Sequence, residues 1–169
     1  MSAQAPEAVL ARPAVLRVRA ALEAAHAEGR PVVLAATART AEDAARALGV
    51  AVGQIVKSLL FLLGERPVLV LVAGDRRCRP ELLPELLGLE GRVVRADAET
   101  VRRVSGFAIG GVAPIGHLEP SPCAIDASLG RFDRLWAAAG HPHAVFPTSL
   151  AELARLTRGV VDARIAEAG

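Results

Sequence analysis

The chain is short of aromatic residues and of net charge. Aromatic side chains make up 3% of its 169 residues, tyrosine is absent, and the formal net charge is +2. An open stacking platform for single-stranded nucleic acid needs several exposed rings, so this composition argues against such a platform. The small positive charge permits an anionic partner without requiring one, and it disfavours nonspecific DNA binding.

Metal-binding patterns and long apolar runs are also missing. The two cysteines, Cys78 and Cys123, lie far apart with no CxxC motif and no paired histidines nearby, so we expect no metal and no cofactor. No run reaches about 18 apolar residues, which predicts no membrane span. The N-terminus lacks a basic region followed by an apolar core, so we expect no signal peptide and a cytoplasmic chain with reduced thiols.

What is present is typical of a globular domain. The hydrophobic fraction is 52% and the charged fraction is 22%. Helical and strand patterns interleave, and hairpins occur too, which predicts an α/β (α+β) fold with a mixed β-sheet flanked by helices. We expect a flexible lead-in over residues 1–12 and one compact domain over residues 13–169. Helices are predicted to begin at Pro13 and after the N-cap residues Thr40, Asp97 and Ser149.

The only lysine of the chain lies in a predicted hairpin. Two apolar runs flank the turn Gly64-Glu65-Arg66-Pro67, and Lys57 lies near the start of the first run. Both alternating faces of this run are apolar, which predicts a central strand. A buried amine is costly unless it is paired or lines a cavity, so Lys57 is a candidate for a site that needs a compact ammonium. The alternative is a strand-end lysine whose amine reaches solvent along its own stem.

A glycine-rich loop is the second candidate. It reads Gly110-Gly111-Val112-Ala113-Pro114-Ile115-Gly116 and is followed by His117. Successive N–H groups in such a loop can hold an anion or a developing oxyanion. A tight turn between strands explains the glycines equally well. The loop matches neither a Walker A motif nor GxGxxG.

Other polar residues have two interpretations each. Asp126 at a strand end can orient a substrate or cap the turn that follows it. Arg76, Arg77 and Arg79 form a basic cluster that suits a phosphate backbone or an ordinary solvated face. Cys123 can be a nucleophile or a small core residue. No serine lies in a Gly-x-Ser-x-Gly elbow, which argues against a serine hydrolase triad.

Taken together, these segments resemble the YbaK/ProX family of aminoacyl-tRNA editing domains. The resemblance covers about residues 30–160, and its motifs lie at 40–49, 54–61, 73–77, 106–117, 126 and 139–140. It implies a mixed, curved sheet and hydrolysis of the ester that joins a wrong amino acid to the 3′ end of a tRNA. It also implies a free-standing protein, in contrast to the editing insertion of prolyl-tRNA synthetase.

The resemblance also assigns roles to residues. It implies that Lys57 is the essential lysine of the family and that the loop 110–116 lines the aminoacyl pocket. We expect Gly110 and Gly111 to take part in catalysis through backbone N–H groups that stabilise the oxyanion. We expect substrate contacts from Thr40, Ser58, Pro114, Ile115, Gly116, His117, Asp126 and Gly140, and tRNA contacts from Arg76, Arg77 and Arg79. The expected partners are the 3′ acceptor end of a mischarged tRNA and an aminoacyl-tRNA synthetase. Two alternatives stay open: a non-catalytic module that binds tRNA or a synthetase, and a small-molecule hydrolase that uses Cys123 or His117.

One stretch departs from the cysteinyl-tRNA deacylase branch of that family. The branch carries a serine before its late glycine and an acid soon after, whereas residues 137–145 contain neither. We therefore do not expect Cys-tRNA(Pro) as the preferred substrate. The apolar residues Ala138 and Val145 suit a pocket for a small or aliphatic amino acid.

Overall fold

A computed structural model describes residues 5–36 and 38–169. The helices are α1 (Pro6–Leu10), α2 (Pro13–Ala24), α3 (Ala41–Leu48), α4 (Leu83–Leu87), α5 (Ala98–Ser105) and α6 (Leu150–Thr157). The strands are β1 (Val32–Val33), β2 (Ile55–Leu63), β3 (Arg66–Ala73), β4 (Arg76–Cys78), β5 (Val93–Arg95), β6 (Cys123–Asp126), β7 (Leu135–His141), β8 (Ala144–Thr148), β9 (Val160–Asp162) and β10 (Ala166–Ala168).

Eight of these strands form one mixed sheet in the order β1-β8-β7-β2-β3-β6-β9, with β5 paired to β2 outside this path. The pairs β2/β7, β3/β6 and β6/β9 are parallel, and β2/β3, β2/β5, β7/β8 and β1/β8 are antiparallel. Strands β4 and β10 form a separate antiparallel pair. The predicted α/β fold with a mixed sheet and flanking helices is confirmed, as is the hairpin β2–β3.

Strand β2 changes partners along its length. On the side away from β3, Ile55 and Val56 pair with β7, and residues 61–63 pair with β5. Residues 57–59 pair with neither strand, so the sheet has a gap at this point. The gap positions the candidate site described below.

Local sequence explains the helix ends. The side chains of Thr40, Asp97 and Ser149 accept hydrogen bonds from the backbone N–H groups of Asp43, Thr100 and Glu152, as predicted for N-caps. Gly49 follows α3 with φ of 70°, a left-handed conformation that glycine adopts without a steric penalty. Helix α3 therefore begins and ends at definite residues, and its first turn contributes a wall of the site.

Both faces of the central strands are buried. Val56 and Leu60 of β2 belong to a large cluster with α2 and α5, whereas Phe61 and Leu63 point to the opposite face and pack in a second cluster with Leu83. A third cluster lies at the start of β2, where Ile55 meets α3 and Val145. This arrangement explains why β2 has apolar residues at both alternating sets of positions.

The expectation of a flexible lead-in over residues 1–12 is wrong for residues 6–10. These form helix α1, with Pro6 in its first turn and Val9 fully buried in the large cluster. Burial of Val9 beside α2 and β1 supplies the packing that a loose segment lacks. Residues 1–4 of the expected lead-in lie outside the described residues.

Within the described residues, no helix has the length and apolarity that crossing a bilayer requires.

Candidate functional site

A cavity of about 340 Å³ opens at the gap beside β2. We call it the Lys57 cavity. Its volume falls in the range of roughly 300–1,000 Å³ that is usual for small-molecule sites. Most of its lining is apolar and comes from Leu34, Ala38, Ala41, Ala44, Ile55, Val56, Leu59, Ile109, Val112, Trp136, Ala138, Pro142 and Val145.

Lys57 lines the cavity with its side chain half-buried. Its Nζ donates a hydrogen bond to the backbone carbonyl oxygen of Arg76 at 2.5 Å. An ammonium group has three N–H donors, so this bond orients the group and leaves the others for a ligand. The structure therefore does not place Lys57 as a solvent-directed surface lysine, which was the alternative interpretation.

The backbone of Ser58 faces the gap. The carbonyl oxygen of Ile55 accepts a hydrogen bond from the backbone N–H of Gly74, on the side of β2 that faces β3. The carbonyl oxygen of Leu60 accepts one from the backbone N–H of Ala96, on the opposite side of β2. Because backbone polar groups alternate sides along an antiparallel strand, Ser58 points the same way as Leu60. Neither β7 nor β5 pairs with it there. The Ser58 N–H is thus a backbone donor directed at the cavity.

Two buried polar atoms of the lining lack partners. Ser58 Oγ and Trp136 Nε1 are shielded from solvent and form no hydrogen bond with the described residues. Leaving such a group unpaired costs roughly 1–3 kcal/mol, and native proteins keep few of them. Both residues line the Lys57 cavity, but these two atoms are closed to a water-sized probe, so a ligand could reach them only after neighbouring side chains shift.

Two exposed arginines border the same cavity. Arg39 precedes α3, and Arg95 ends β5, with its guanidinium 5.5 Å from the ring centre of Phe61. An exposed guanidinium suits a phosphate oxygen, because its planar donors match that group. The mouth of the cavity therefore offers cations while its interior is largely apolar.

The glycine loop contributes one of its two adjacent glycines to the lining. Gly110 borders the Lys57 cavity with φ of 95°, next to Ile109, which is 60% exposed. Gly111 is buried, and a Cβ there would lie 2.9 Å from the backbone nitrogen of His141. Gly111 thus allows close contact with the turn between β7 and β8 and is not part of the cavity wall.

The rest of that loop lies elsewhere. Pro114, Ile115, Gly116 and His117 line a separate cavity of about 180 Å³, which they share with Cys123. We call it the Cys123 cavity. The expectation that these four residues join Lys57 in one pocket is wrong, because the second half of the loop packs on α2. Arg17 Nε donates to the Gly116 carbonyl oxygen at 2.8 Å.

Side chains in the Cys123 cavity are satisfied or inert. His117 Nε2 is hydrogen-bonded to the carbonyl oxygen of Ala113 at 2.5 Å, and burial lowers the pKa of this imidazole. Burial raises the pKa of the Cys123 thiol to about 12. A thiol must ionise to act as a nucleophile, so this environment suppresses its reactivity.

Two further predicted substrate contacts have structural roles. Asp126 is 1% exposed, and its carboxylate accepts from the N–H groups of Ala73 at 3.1 Å and Ser128 at 2.8 Å. It joins β3 to the turn after β6 and does not border the Lys57 cavity. Gly140 packs on α2, where a Cβ would lie 2.8 Å from the Ala14 backbone. The predicted residues Thr40 and Ser58 do line the cavity.

The predicted tRNA contacts lie on β4 and just beyond it. Arg76 offers its backbone carbonyl to Lys57, Arg77 forms a salt bridge with Glu167 at 3.1 Å, and Arg79 forms one with Glu81 at 3.3 Å. None of the three borders the Lys57 cavity. Their role in tRNA binding stays a prediction.

Sequence reasoning missed Arg39, Arg95, Ile109 and Trp136. Each reaches the cavity through long-range pairing or a loop, and the one local signal was that Trp136 is the single tryptophan of the chain. Ala138 and Val145, predicted from their apolar character, do line the cavity. Among the described residues, no group of three His, Cys, Asp or Glu side chains is arranged to hold a metal ion.

Comparison with protein families identifies the domain that forms this cavity. The family model described as the aminoacyl-tRNA editing domain matches residues 35–156. The chain belongs to this family. The resemblance inferred from its motifs is therefore confirmed.

Individual relatives of this editing domain include free-standing and embedded proteins. A crystal structure described as a proposed trans-editing enzyme for prolyl-tRNA synthetase is 40% identical, with a TM-score of 0.85, covering 94% of this chain and 99% of the other. YwhH of Bacillus subtilis, described as uncharacterized, is 29% identical over 119 residues, which are 70% of this chain and 74% of YwhH. Proline–tRNA ligase of Geobacter sulfurreducens is 37% identical over 95 residues, 55% of this chain but only 16% of the ligase.

Proposed function

We propose that this protein hydrolyses the ester bond of mischarged aminoacyl-tRNA. The observation that carries the proposal is the oriented Lys57 ammonium at a cavity formed by the gap in the sheet. Membership of the editing domain family and the 40% identical structure support it. The substrate is the 3′ acceptor end of a tRNA, with the aminoacyl group in the apolar interior and phosphates near Arg39 and Arg95.

Lys57 positions the ester and stabilises charge. With one N–H held by the Arg76 carbonyl, the remaining donors face a phosphate of the terminal nucleotide or the ester carbonyl. A compact ammonium fits here because it places a full charge on a small group, whereas a guanidinium is larger and planar.

Backbone donors stabilise the oxyanion. The Ser58 N–H faces the gap, and Gly110 borders the same cavity. One such donor is typically worth about 3 kcal/mol in the transition state. Gly111, the other predicted catalytic glycine, acts through packing that places Gly110.

The described lining contains no histidine and no carboxylate, so no side chain of these types offers a general base there.

Water attacks the ester carbonyl carbon, and the C–O bond to the ribose breaks. The proton lost by water passes to the departing ribose oxygen, with the neighbouring ribose hydroxyl as relay. The protein's contribution is to hold the ester and stabilise charge, which is sufficient for an already reactive ester.

The test is deacylation of a panel of mischarged tRNA(Pro), tRNA(Ala) and tRNA(Thr) species by the wild type, Lys57→Ala and Arg66→Ala. Arg66 is an exposed cation at the start of β3, outside the cavity, and serves as the matched control. We expect hydrolysis by the wild type and the control, and a loss of about a hundredfold or more in Lys57→Ala. Binding of tRNA without hydrolysis of any species would contradict the proposal and favour a non-catalytic module.

A further inference from the structure

The carbonyl oxygen of Arg76 orients the Lys57 ammonium, and the pairing of β4 leaves this oxygen free to do so. The N–H of Gly169 donates to the carbonyl oxygen of Asp75. Arg76 and Ala168 therefore form a non-hydrogen-bonded pair between β4 and β10, with the Arg76 carbonyl directed away from β10. Nζ of Lys57 donates to it there. The direction of the ammonium thus depends on where the turn between β3 and β4 places one carbonyl group.

A bidentate ion pair holds that turn. Arg131 donates from its two terminal nitrogens to the Asp75 carboxylate, at 2.9 Å and 2.7 Å. Its Nε donates to the carbonyl oxygen of Ser128 at 2.7 Å, and its guanidinium carbon lies 5.2 Å from the ring centre of Phe132. The guanidinium is therefore fixed on its own 3₁₀ helix, Ala127–Arg131, and it fixes the residue that precedes the acceptor of Lys57.

The same 3₁₀ helix holds the turn from its other end. Asp126, which precedes the helix, accepts from the N–H of Ala73 at 3.1 Å. Gly74, between the two held residues, donates its N–H to the carbonyl oxygen of Ile55 in β2 at 2.7 Å. Three successive residues of the turn are thus tied either to segment 126–131 or to the strand that carries Lys57.

The ion pair lies against the backbone just before β2. A Cβ added to the buried Gly53 would lie 3.0 Å from Nη2 of Arg131 and 3.0 Å from Oδ2 of Asp75. The side chains of the pair are 35% and 39% exposed. A pair this exposed adds little to stability, whereas two parallel hydrogen bonds fix a direction. The arrangement therefore suits a geometric role better than a stabilising one.

We propose that Arg131 is a positioning residue for Lys57. It holds Asp75 so that the next carbonyl group, that of Arg76, keeps the ammonium directed into the Lys57 cavity. This inference rests on the proposed function, since it assigns a supporting residue to the same site. Neither Arg131 nor Asp75 borders the cavity, so both act through the lysine. Without the pair the ammonium is present but free to turn, and a misdirected charge stabilises the transition state less.

The single lysine makes the inference measurable without an activity assay. Lysine labelled with ¹³C at the ε-carbon gives one side-chain signal from this chain, that of Lys57. We expect ¹³C relaxation to show a restricted ε-methylene in the wild type and a mobile one in Arg131→Met. An ε-methylene that is equally restricted in both proteins would overturn the inference.

A second variant and a control keep the test specific. Asp75→Asn leaves the contacts of Arg131 with Ser128 in place and should also increase the mobility of the ε-methylene; it carries the test if Arg131→Met does not fold. The control is Arg164→Met, which removes another bidentate pair, between Arg164 and Asp162 at the end of β9. It should leave the signal unchanged. An equal increase in the control would show a general loosening and would overturn the inference.

Deacylation separates positioning from a merely structural role. The single-turnover rate should fall about tenfold in Arg131→Met and stay unchanged in Arg164→Met. In a Lys57→Ala background, Arg131→Met should cause no further loss, because a positioning residue acts only through the lysine. A full additional loss in that background would overturn the inference. A mobile lysine in Arg131→Met, together with a wild type that hydrolyses no mischarged tRNA, would support the positioning and refute the proposed function.

Discussion

The Lys57 cavity and the Cys123 cavity both contain residue types that carry out chemistry, but the state of these residues differs. At the first, an oriented ammonium and a backbone N–H facing the gap lie beside about 340 Å³ of space. At the second, the imidazole is hydrogen-bonded and the thiol is held protonated by burial. Reactive residue types near a cavity do not suffice for a site; an ammonium oriented by one hydrogen bond and a backbone N–H left without a partner strand are the more informative features.

After Lys57→Ala, the largest effect that tests this comparison is expected from Lys57→Arg. The guanidinium keeps the positive charge but cannot reproduce the compact donor held by the Arg76 carbonyl, so deacylation should fall by roughly ten- to a hundredfold. Single-turnover deacylation measures the change, with circular dichroism to confirm folding. Full activity would show that any cation serves at this position. It would then refute the inference, drawn from the single lysine of the chain, that the site needs a compact ammonium.

Cys123→Ala tests the other side of the comparison. The side chain is 4% exposed and belongs to the large cluster, so its truncation should lower the free energy of unfolding by about 1 kcal/mol. Deacylation should stay within about twofold of wild type, because the protonated thiol takes no part in the reaction. Chemical denaturation and the deacylation assay provide the two measurements. Loss of activity in a folded variant would instead support a hydrolase built on Cys123.

The smallest effect concerns His117 and pH. Burial lowers the pKa of His117 in the folded chain below its ordinary value of 6.5, so the unfolded chain binds a proton first as the pH falls. The stability of the folded form is therefore retained above pH 6.5 and decreases below it. His117→Asn should weaken this decrease and leave deacylation unchanged. Urea midpoints measured between about pH 7.5 and pH 5.5 test the difference, and identical slopes for both proteins would contradict it.

Local signals predicted much of the fold. The N-caps Thr40, Asp97 and Ser149 and the hairpin turn act within a few residues, so they could be recognised without knowledge of the rest of the chain. The turn is shorter than predicted: it consists of Gly64 and Glu65, and Arg66 and Pro67 already pair in β3. Helix α1 was missed because the burial of Val9 depends on distant partners. A short apolar segment near a terminus has the same local pattern whether it packs or not.

The candidate site was only partly predictable. Lys57 was recognisable from its rarity, and Gly110 from the glycine loop. The division of that loop between two cavities follows from the contact of Arg17 with Gly116, which links positions far apart in the chain. Asp126 shows the same limit, since an acid at a strand end can bind a substrate or, as here, the backbone of its neighbours.

By itself, the sequence determined the hairpin with its single lysine, the helix boundaries and the family, because these depend on residue types at short spacing. Only the tertiary structure decided that β2 exchanges one partner strand for another at residues 57–59. That exchange brings Arg95, Trp136 and Gly110 to one cavity. The physical reason is that strand pairing depends on how whole faces of the sheet pack. No local pattern in β2 specifies where its pairing with β7 ends and its pairing with β5 begins.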